Sequence, residues 1–285
     1  MSNFRKYVNF YEFESELPGT GKLVTFKPIT TGQIKRLLLY ETSEDMDSIE
    51  KSLDNIISEC VIDEDFDVGE LYLQDRFYLL LEIRKATKGN TYSFQSRCSK
   101  CESQSAQSVN LSKLEVKKLP KEVLAKPVEK KKTSKVIPMK KGGKLILDDN
   151  EEIKNDVLQE SDRNIVKLDD KLSIRVTYLT RELQKEYKEY LSTLPDLTEN
   201  QKMIEESTLS YAVTVKSIVT PDGEETDLTL DDKIYLIENI PSKSVEIISK
   251  WFEDNDFGVD FSFDVVCAHC EHKERKEIPL ENFFS

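Results

Sequence analysis

The sequence predicts an α+β protein made of two pseudo-repeated helical lobes, each carrying a Cys-x-x-Cys β-hairpin. Three observations predict this fold class. Alternating strand patterns and amphipathic helix patterns follow one another in the same order twice along the 285 residues. Each series ends in a Cys-x-x-Cys pair, and a lysine-rich stretch separates the two series.

The first series begins with residues 22–28, whose alternating apolar side chains are typical of a strand. A helix is predicted from about 32 to 40, with Thr30 or Thr31 as its capping residue. A longer amphipathic helix follows from Ile49 to Cys60. A third helix is predicted to start at the segment Asp75-Arg-Phe-Tyr-Leu-Leu-Leu.

The second series repeats this order after residue 170. A strand is predicted at 171–178, and a helix capped by Thr180 is predicted at 181–190. A longer helix is expected from Ile204 to about Ile218, and the next helix starts at Asp232-Lys-Ile-Tyr-Leu-Ile. An extra helix is predicted near 245–252, which fits the offset between the two series as it grows from 149 to 169 residues.

Both series close with an alternating strand that runs into the cysteines, followed by a second strand near 107–111 or 274–280. A Cys-x-x-Cys at the tip of a hairpin places two thiolates on one side of a turn, and two such hairpins supply a tetrahedral four-thiolate set. The sequence therefore predicts that the hairpins join as a zinc-ribbon-like element with one structural Zn²⁺. Its ligands are Cys98, Cys101, Cys267 and Cys270.

Other interpretations of the cysteines stay open. Each pair could form a disulfide, or the four thiols could be plain thiols without a metal. Glu102 and Glu271 stand where a glycine often follows such a pair, and His269 and His272 could compete as ligands. Cys60 lies on an apolar helical face, which predicts a core residue.

Charge and composition divide the chain into four predicted segments. Residues 117–144 hold eleven lysines against two glutamates, together with prolines and a Gly-Gly pair, and an acidic run follows. Such composition is typical of a flexible linker or insertion. The segments are an N-terminal arm (1–20), a first lobe with its hairpin (21–116), a charged linker (117–163) and a second lobe with its hairpin (164–285).

Net charge and the lack of long apolar stretches argue against a nucleic-acid-binding protein, a membrane-spanning protein and a protein with a signal peptide. The chain carries −13, so the part outside residues 117–144 carries −22, which disfavours binding to nucleic acid. No stretch has the roughly 20 apolar residues that cross a membrane, and residues 1–16 lack the apolar core of a signal peptide. We therefore expect a cytosolic protein with reduced thiols.

No pattern in the sequence indicates catalysis. The chain has two histidines, both beside the second cysteine pair, and no phosphate-binding glycine loop or Gly-x-Ser-x-Gly elbow. We therefore expect that the protein is not an enzyme. Two other classes remain as alternatives: a zinc-ribbon regulator that binds nucleic acid or a polymerase through the basic linker, and, more weakly, a Cys-x-x-Cys thiol oxidoreductase.

Several motifs taken in order resemble the base plate hub assembly proteins of T4-like contractile-tailed bacteriophages, over roughly residues 20–115 and 165–285. The motifs are Phe26-Lys-Pro, Ile49 to Cys60-Val61, Asp67-Val-Gly-Glu-Leu71, Asp75-x-x-Tyr-Leu-Leu-Leu-x-Ile-Arg84-x-x-Thr-x-Gly89, Cys98-x-x-Cys101, Ile237-Glu-Asn-Ile-Pro241, Trp251-Phe252, Cys267-x-x-Cys270 and Ile278-Pro-Leu-Glu-Asn-Phe-Phe284.

This resemblance implies a structural role in tail and virion assembly, through contacts with other base plate hub or tail proteins. No membrane is expected as a partner, because no stretch of the chain is apolar and long enough to cross one. The protein would be either a hub subunit or a factor needed during hub assembly. It implies a location in the host cytoplasm during assembly, with the tail base plate of the virion as the alternative final location.

Overall fold

The computed structural model describes residues 11–41, 46–120, 123, 162–279 and 283–284. The predicted N-terminal arm is therefore described only from residue 11 onward. The predicted linker 117–163 lies outside the described residues except for 117–120, 123 and 162–163.

The fold is α+β, with seven helices and small antiparallel sheets in the described residues. The helices are α1 Thr31–Glu41, α2 Met46–Cys60, α3 Leu73–Lys88, α4 Arg181–Thr193, α5 Glu199–Ala212, α6 Leu230–Asn239 and α7 Ser242–Asp254. The strands are β1 Phe13–Glu16, β2 Leu23–Phe26, β3 Thr91–Arg97, β4 Gln104–Asn110, β5 Val116–Lys117, β6 Ile165–Lys167, β7 Ser173–Val176, β8 Val215–Thr220, β9 Gly223–Glu225, β10 Gly258–Val259, β11 Ser262–Val266 and β12 Lys273–Glu277. In this part of the chain, no helix has both the length and the apolar character that crossing a bilayer requires.

The first half starts with a hairpin in which β1 pairs with β2. Thr30 caps α1, because its backbone N–H donates to Gln33 Oε1 (2.7 Å) and its Oγ1 accepts from the Gln33 backbone N–H (3.3 Å). After α2 the chain returns to β2 through a bridge between Phe26 and Val61. The predicted strand, capping residue and helices of this half are confirmed.

The second half has the same order with a larger sheet, β6-β7-β8-β9. Thr180 caps α4 by accepting from the Leu183 backbone N–H (3.2 Å), as predicted. The expected helix from Ile204 to about Ile218 is wrong at its end. Helix α5 stops at Ala212, and Val215–Thr220 forms β8 because its β-branched side chains fit the ladder that β7 offers.

The two halves therefore also correspond at an element that the sequence did not predict, strand β8. Strand β8 takes the place that the Phe26–Val61 bridge takes in the first half, since each returns the chain to its opening hairpin after two helices. The predicted extra helix is α7, and the short strand β10 lies between it and the second cysteine hairpin. The order of elements supports an internal repeat with insertions in the second copy.

The core of the first half includes the end of the chain. Phe283 and Phe284 are buried among the side chains of α2, α3 and β2. Arg84 Nε donates to the carbonyl oxygen of Phe283 (2.7 Å), and Tyr92 Oη donates to that of Pro279 (2.9 Å). The two halves are thus joined by a crossing of the C-terminal segment as well as by the cysteine hairpins.

A buried charge cluster joins α2, α3 and α4. Asp54 accepts from Arg76 Nε through Oδ1 (2.8 Å) and from Arg181 Nε through Oδ2 (2.9 Å). Glu50 Oε2 lies 3.0 Å from Arg76 Nη2 and 3.4 Å from Arg181 Nη2. Because both guanidinium groups are almost fully buried, they depend on these two carboxylates for their charge balance. Beside the cluster, Tyr72 bridges to Thr180.

Asp75 ties the segment before β2 to α3. Its carboxylate accepts from the backbone N–H of Gly19 (2.7 Å) and of Thr20 (3.1 Å). Burial raises the pKa of Asp75, and the hydrogen bonds from Gly19 and Thr20 oppose that shift. A side chain at Gly19 would meet the ring of Phe257 at 2.4 Å, so only glycine allows this approach.

Candidate metal centre

Two hairpins position the four cysteines, β3–β4 in the first half and β11–β12 in the second. Their turns are closed by the same backbone hydrogen bonds. The Cys98 N–H donates to the Ser103 carbonyl (2.9 Å) and the Glu102 N–H to the Cys98 carbonyl (3.0 Å). The Cys267 N–H donates to the His272 carbonyl and the Glu271 N–H to the Cys267 carbonyl, both at 2.9 Å.

The residue after each pair has a left-handed backbone. Glu102 has φ 58° and Glu271 has φ 56°, and they are the two non-glycine residues with positive φ in the described chain. The sequence places glutamates where glycine is common, and the structure forces them into the conformation that glycine adopts at least cost. The missing glycines therefore do not prevent the turn.

All four sulfur atoms converge. They lie within 4.8 Å of one another, although Cys98 and Cys267 are 169 residues apart in the sequence. The Sγ atoms of Cys98 and Cys270 are 3.7 Å apart, and so are those of Cys101 and Cys267. A zinc–sulfur bond of about 2.3 Å sets the sulfurs of a tetrahedron roughly 3.8 Å apart. The observed spacing is close to that value and too long for a disulfide bond.

Polar groups of the first hairpin lie within hydrogen-bond distance of three of these sulfurs. The Lys100 backbone N–H donates to Cys98 Sγ (3.4 Å), and Ser103 Oγ lies 3.0 Å from Cys101 Sγ and 3.3 Å from Cys267 Sγ. Hydrogen bonds from the Ser103 hydroxyl and from the backbone of Cys270 and His269 lower the pKa of Cys267 to about 5. The site thus favours a thiolate, the form that binds a metal.

The pKa values of Cys101 and Cys270 are shifted in opposite directions. Hydrogen bonding with the side chain and backbone of Ser103 lowers the pKa of Cys101. At Cys270 the backbone of His272 also acts to lower the pKa, but burial and the thiols of Cys101, Cys267 and Cys98 raise it to about 12. A bound cation would favour the thiolate at every one of these positions, because its charge is the largest in the site.

The remaining candidate ligands lie apart from the cluster. Within the described residues, the group of close ligand atoms contains the four cysteines and neither His269 nor His272. Cys60 is fully buried in the core of the first half, and burial raises the pKa of its thiol to about 11. The prediction that Cys60 is a core residue is confirmed.

Contacts between the two hairpins hold the cysteine pairs face to face. The rings of Phe94 and Phe263 pack edge to face, with centroids 5.3 Å apart. The Ser99 backbone N–H donates to Glu274 Oε1 (3.3 Å), and Lys276 Nζ donates to the carbonyl oxygen of Arg97. Convergence of the sulfurs is therefore supported by contacts that β3 and the turn after it make with the second hairpin.

Ser103 is the residue at this site that sequence reasoning missed. It stands two residues after Cys101, at the position that His272 occupies after Cys270. The sequence alone could have indicated this role, because a hydroxyl at the turn of a cysteine hairpin is a suitable hydrogen-bond donor to a thiolate. Only the structure shows that this hydroxyl reaches one cysteine of each hairpin.

Comparison with protein families gives a match over nearly the whole chain. The model described as "T4 bacteriophage base plate protein" matches residues 8–145 and residues 143–285. Two successive matched segments fit the repeat seen in the order of elements. Comparison with curated proteins gives no match. Comparison with solved structures gives none either.

Proposed function

Because this chain belongs to the T4 bacteriophage base plate protein family, we propose that it is a non-enzymatic hub subunit or hub assembly factor of the phage tail base plate. It acts through contacts with other hub or tail proteins. The observation that carries the proposal is the family match over two successive segments, 8–145 and 143–285, which together span nearly the whole chain. The family is structural, and the candidate site described above is a closed set of thiols, a type that supports stability.

The metal proposed for this site is one structural Zn²⁺ held by Cys98, Cys101, Cys267 and Cys270. Four facts about the residues support it: the close sulfur spacing, the two cysteines from each hairpin, the N–H and hydroxyl groups within hydrogen-bond distance of sulfur, and the absence of a disulfide in the described residues. Soft thiolate donors in this number select zinc or iron over hard cations. With four protein ligands, a bound zinc would have no open position for substrate.

In this proposal the zinc ribbon fastens the two halves of the chain. The hairpins belong to different repeats, and residues 117–163 separate the two predicted lobes, 21–116 and 164–285. A metal that binds both hairpins closes a loop of well over a hundred residues, and closing a long loop removes entropy from the unfolded chain. The resulting rigid body would present fixed surfaces to neighbouring base plate subunits.

The experiment that tests the role is complementation of a phage that lacks this gene product. The wild-type chain and the C98S/C267S double variant are supplied in the infected host, and assembled base plates and tails are counted by electron microscopy. We expect tails with the wild-type chain and an assembly block at the base plate without it. Normal tails in the absence of the chain would contradict the proposal.

A second measurement separates the two forms of the proposal. Mass spectrometry of purified virions detects peptides of this chain if it is a hub subunit. Their absence from virions, beside good expression in the infected cell, assigns it to transient assembly. Host fractionation follows the same protein through the cytoplasm during assembly.

The alternatives from other classes have their own tests. A gel shift at low salt that disappears when residues 117–144 are deleted would favour the nucleic-acid regulator. Reduction of insulin disulfides by the purified chain would favour the oxidoreductase. The backbone around the cysteines argues against the oxidoreductase, because each cysteine pair follows a strand and precedes a left-handed turn rather than opening a helix.

A further inference from the structure

Strand β4 is an edge strand with no charged side chain. Strand β3 pairs with one of its sides, and no other strand in the described residues pairs with it. Its seven residues read Gln-Ser-Ala-Gln-Ser-Val-Asn. Among the described strands it is the only one longer than four residues without a charge. Proteins commonly place charges on such edges, because an open row of peptide groups is a template for another chain.

The neighbouring edges of the same structure are protected. Strand β12, which takes the position of β4 in the second hairpin, reads Lys-Glu-Arg-Lys-Glu. The outer side of β3 is partly occupied, because Arg84 Nη2 donates to the carbonyl oxygen of Thr91 (3.4 Å) and Lys276 Nζ donates to that of Arg97. The uncharged, open side of β4 is therefore specific to one strand of one hairpin.

The register identifies the open peptide groups. The Cys98 N–H donates to Ser103 and the Leu111 N–H to Asn90, so odd-numbered residues from 103 to 111 bond toward β3. In an antiparallel ladder the peptide groups of successive residues point to opposite sides. Gln104, Ala106 and Ser108 therefore direct their N–H and C=O groups to the open side, and all three residues are exposed.

We propose that this edge pairs antiparallel with β4 of a second copy of the chain, which joins two hairpins into a four-stranded sheet about a twofold axis. In a pair centred on Ala106, that residue faces its own counterpart, and Gln104 faces Ser108 of the other copy. A charge at the centre would face an identical charge, whereas a different partner could carry the opposite charge. Ala106 carries no charge, and neither do Gln104 and Ser108, so self-pairing brings no like charges together along this strand.

Two physical effects set the strength of this contact. Main-chain hydrogen bonds between the two paired edges favour the dimer. The net charge of −13 on each copy opposes association, and salt screens that repulsion over about 8 Å at physiological ionic strength. The dimer should therefore become tighter as salt is added. This inference goes beyond the proposed function and does not depend on zinc.

Introduction of a charge at Ala106 gives the sharpest test. We expect the full chain to sediment as a dimer at high concentration, and the A106K and A106E variants to sediment as monomers. Mixing A106K with A106E should restore a dimer, because the opposite charges then face each other. The A106V variant, which keeps the backbone N–H and adds no charge, is the matched control and should dimerise.

Hydrogen exchange tests the same contact without substitution. In the wild-type chain the amides of Ala106 and Ser108 should gain protection as concentration rises, while those of Ser105 and Gln107 are protected throughout. Sedimentation as a monomer at every concentration, or a dimer that persists in A106K, would overturn the proposal. Protection of Ala106 only after addition of another base plate protein would likewise overturn self-pairing and assign the edge to that protein.

Discussion

Phe94 and Phe263 pack edge to face across the two cysteine hairpins, with ring centroids 5.3 Å apart and an interplanar angle of 86°. Each phenylalanine stands four residues before the first cysteine of its own hairpin. The two residues thus occupy equivalent positions in the repeat. Their contact lies on the line along which the two halves of the candidate metal centre meet.

This contact should couple the two hairpins energetically. We expect a double-mutant cycle with F94L and F263L to give a coupling free energy of about 0.5–1.5 kcal/mol, the range for aromatic pairs. Urea unfolding of the four proteins measures it. A cycle between F94L and a substitution at Phe257, which belongs to a different cluster, serves as the control and should give none. Additive effects at Phe94 and Phe263 would show that the hairpins are held by other contacts.

Removal of the cysteines should release the metal and lower stability. The C98S/C267S variant takes one ligand from each hairpin, so we expect less than one zinc per chain and a melting temperature lower by roughly 10 °C or more. Atomic emission and calorimetry measure the two quantities. A chelator should do the same to the unaltered chain. The control is C60A, which removes a core thiol and should keep its zinc. Full stability of the chain after complete removal of zinc would contradict the structural role.

The left-handed glutamates give a prediction about the turns. Replacement of Glu102 by glycine should leave stability unchanged or raise it by up to about 1 kcal/mol, because glycine tolerates positive φ. Replacement by valine should cost roughly 1–3 kcal/mol at the same position. Loss of the exposed contact to Arg97 (3.5 Å) contributes little in either variant. Equal stability of the two variants, in thermal unfolding with zinc present, would contradict the assigned conformation.

The buried charge cluster should be sensitive to the loss of Asp54. An alanine there leaves Arg76 and Arg181 buried with Glu50 as their remaining carboxylate partner in the cluster, so we expect a loss of about 3–5 kcal/mol in the free energy of unfolding. Denaturant titration measures it. The control is E199Q, which removes a surface pair with Lys202 and should change stability by less than about 1 kcal/mol. Similar effects of D54A and E199Q would show that the cluster does not stabilise the fold.

Asp75 should make stability depend on pH in a defined direction. Burial raises its pKa, so the folded chain binds the proton more tightly than the unfolded chain. The contribution of Asp75 to stability is therefore fully present below its unfolded pKa and decreases as pH rises through its folded pKa. The D75N variant cannot titrate at this position. We expect its stability deficit relative to wild type to become smaller between pH 4 and pH 7 in urea unfolding.

Other titrating groups are shared by the two proteins, so they cancel in this difference. A deficit that stays constant over the pH range would show that Asp75 has the same pKa in the folded and unfolded chains. A deficit that grows with pH would show that the hydrogen bonds from Gly19 and Thr20 outweigh the effect of burial.

The sequence by itself determined the order of the elements and the places where helices begin. Thr30 and Thr180 cap helices through side chains that act within three residues, so a local pattern is sufficient to predict them. The alternating strands that lead into Cys98 and Cys267 are local patterns of the same kind. Matched in order, these patterns also indicated the repeat and the four cysteines as one group.

Tertiary structure decided what depends on partners far along the chain. Asp54 meets Arg76 and Arg181 across 22 and 127 residues, and a charged side chain carries no local sign of its burial. Residues 215–220 became a strand because β7 supplied the ladder, although the preceding pattern favoured a longer helix. Glu102 and Glu271 adopt positive φ because hydrogen bonds close each turn around them. The intrinsic preference of a residue for helix or strand is worth about 1 kcal/mol or less. Packing and pairing between distant segments therefore decide the outcome.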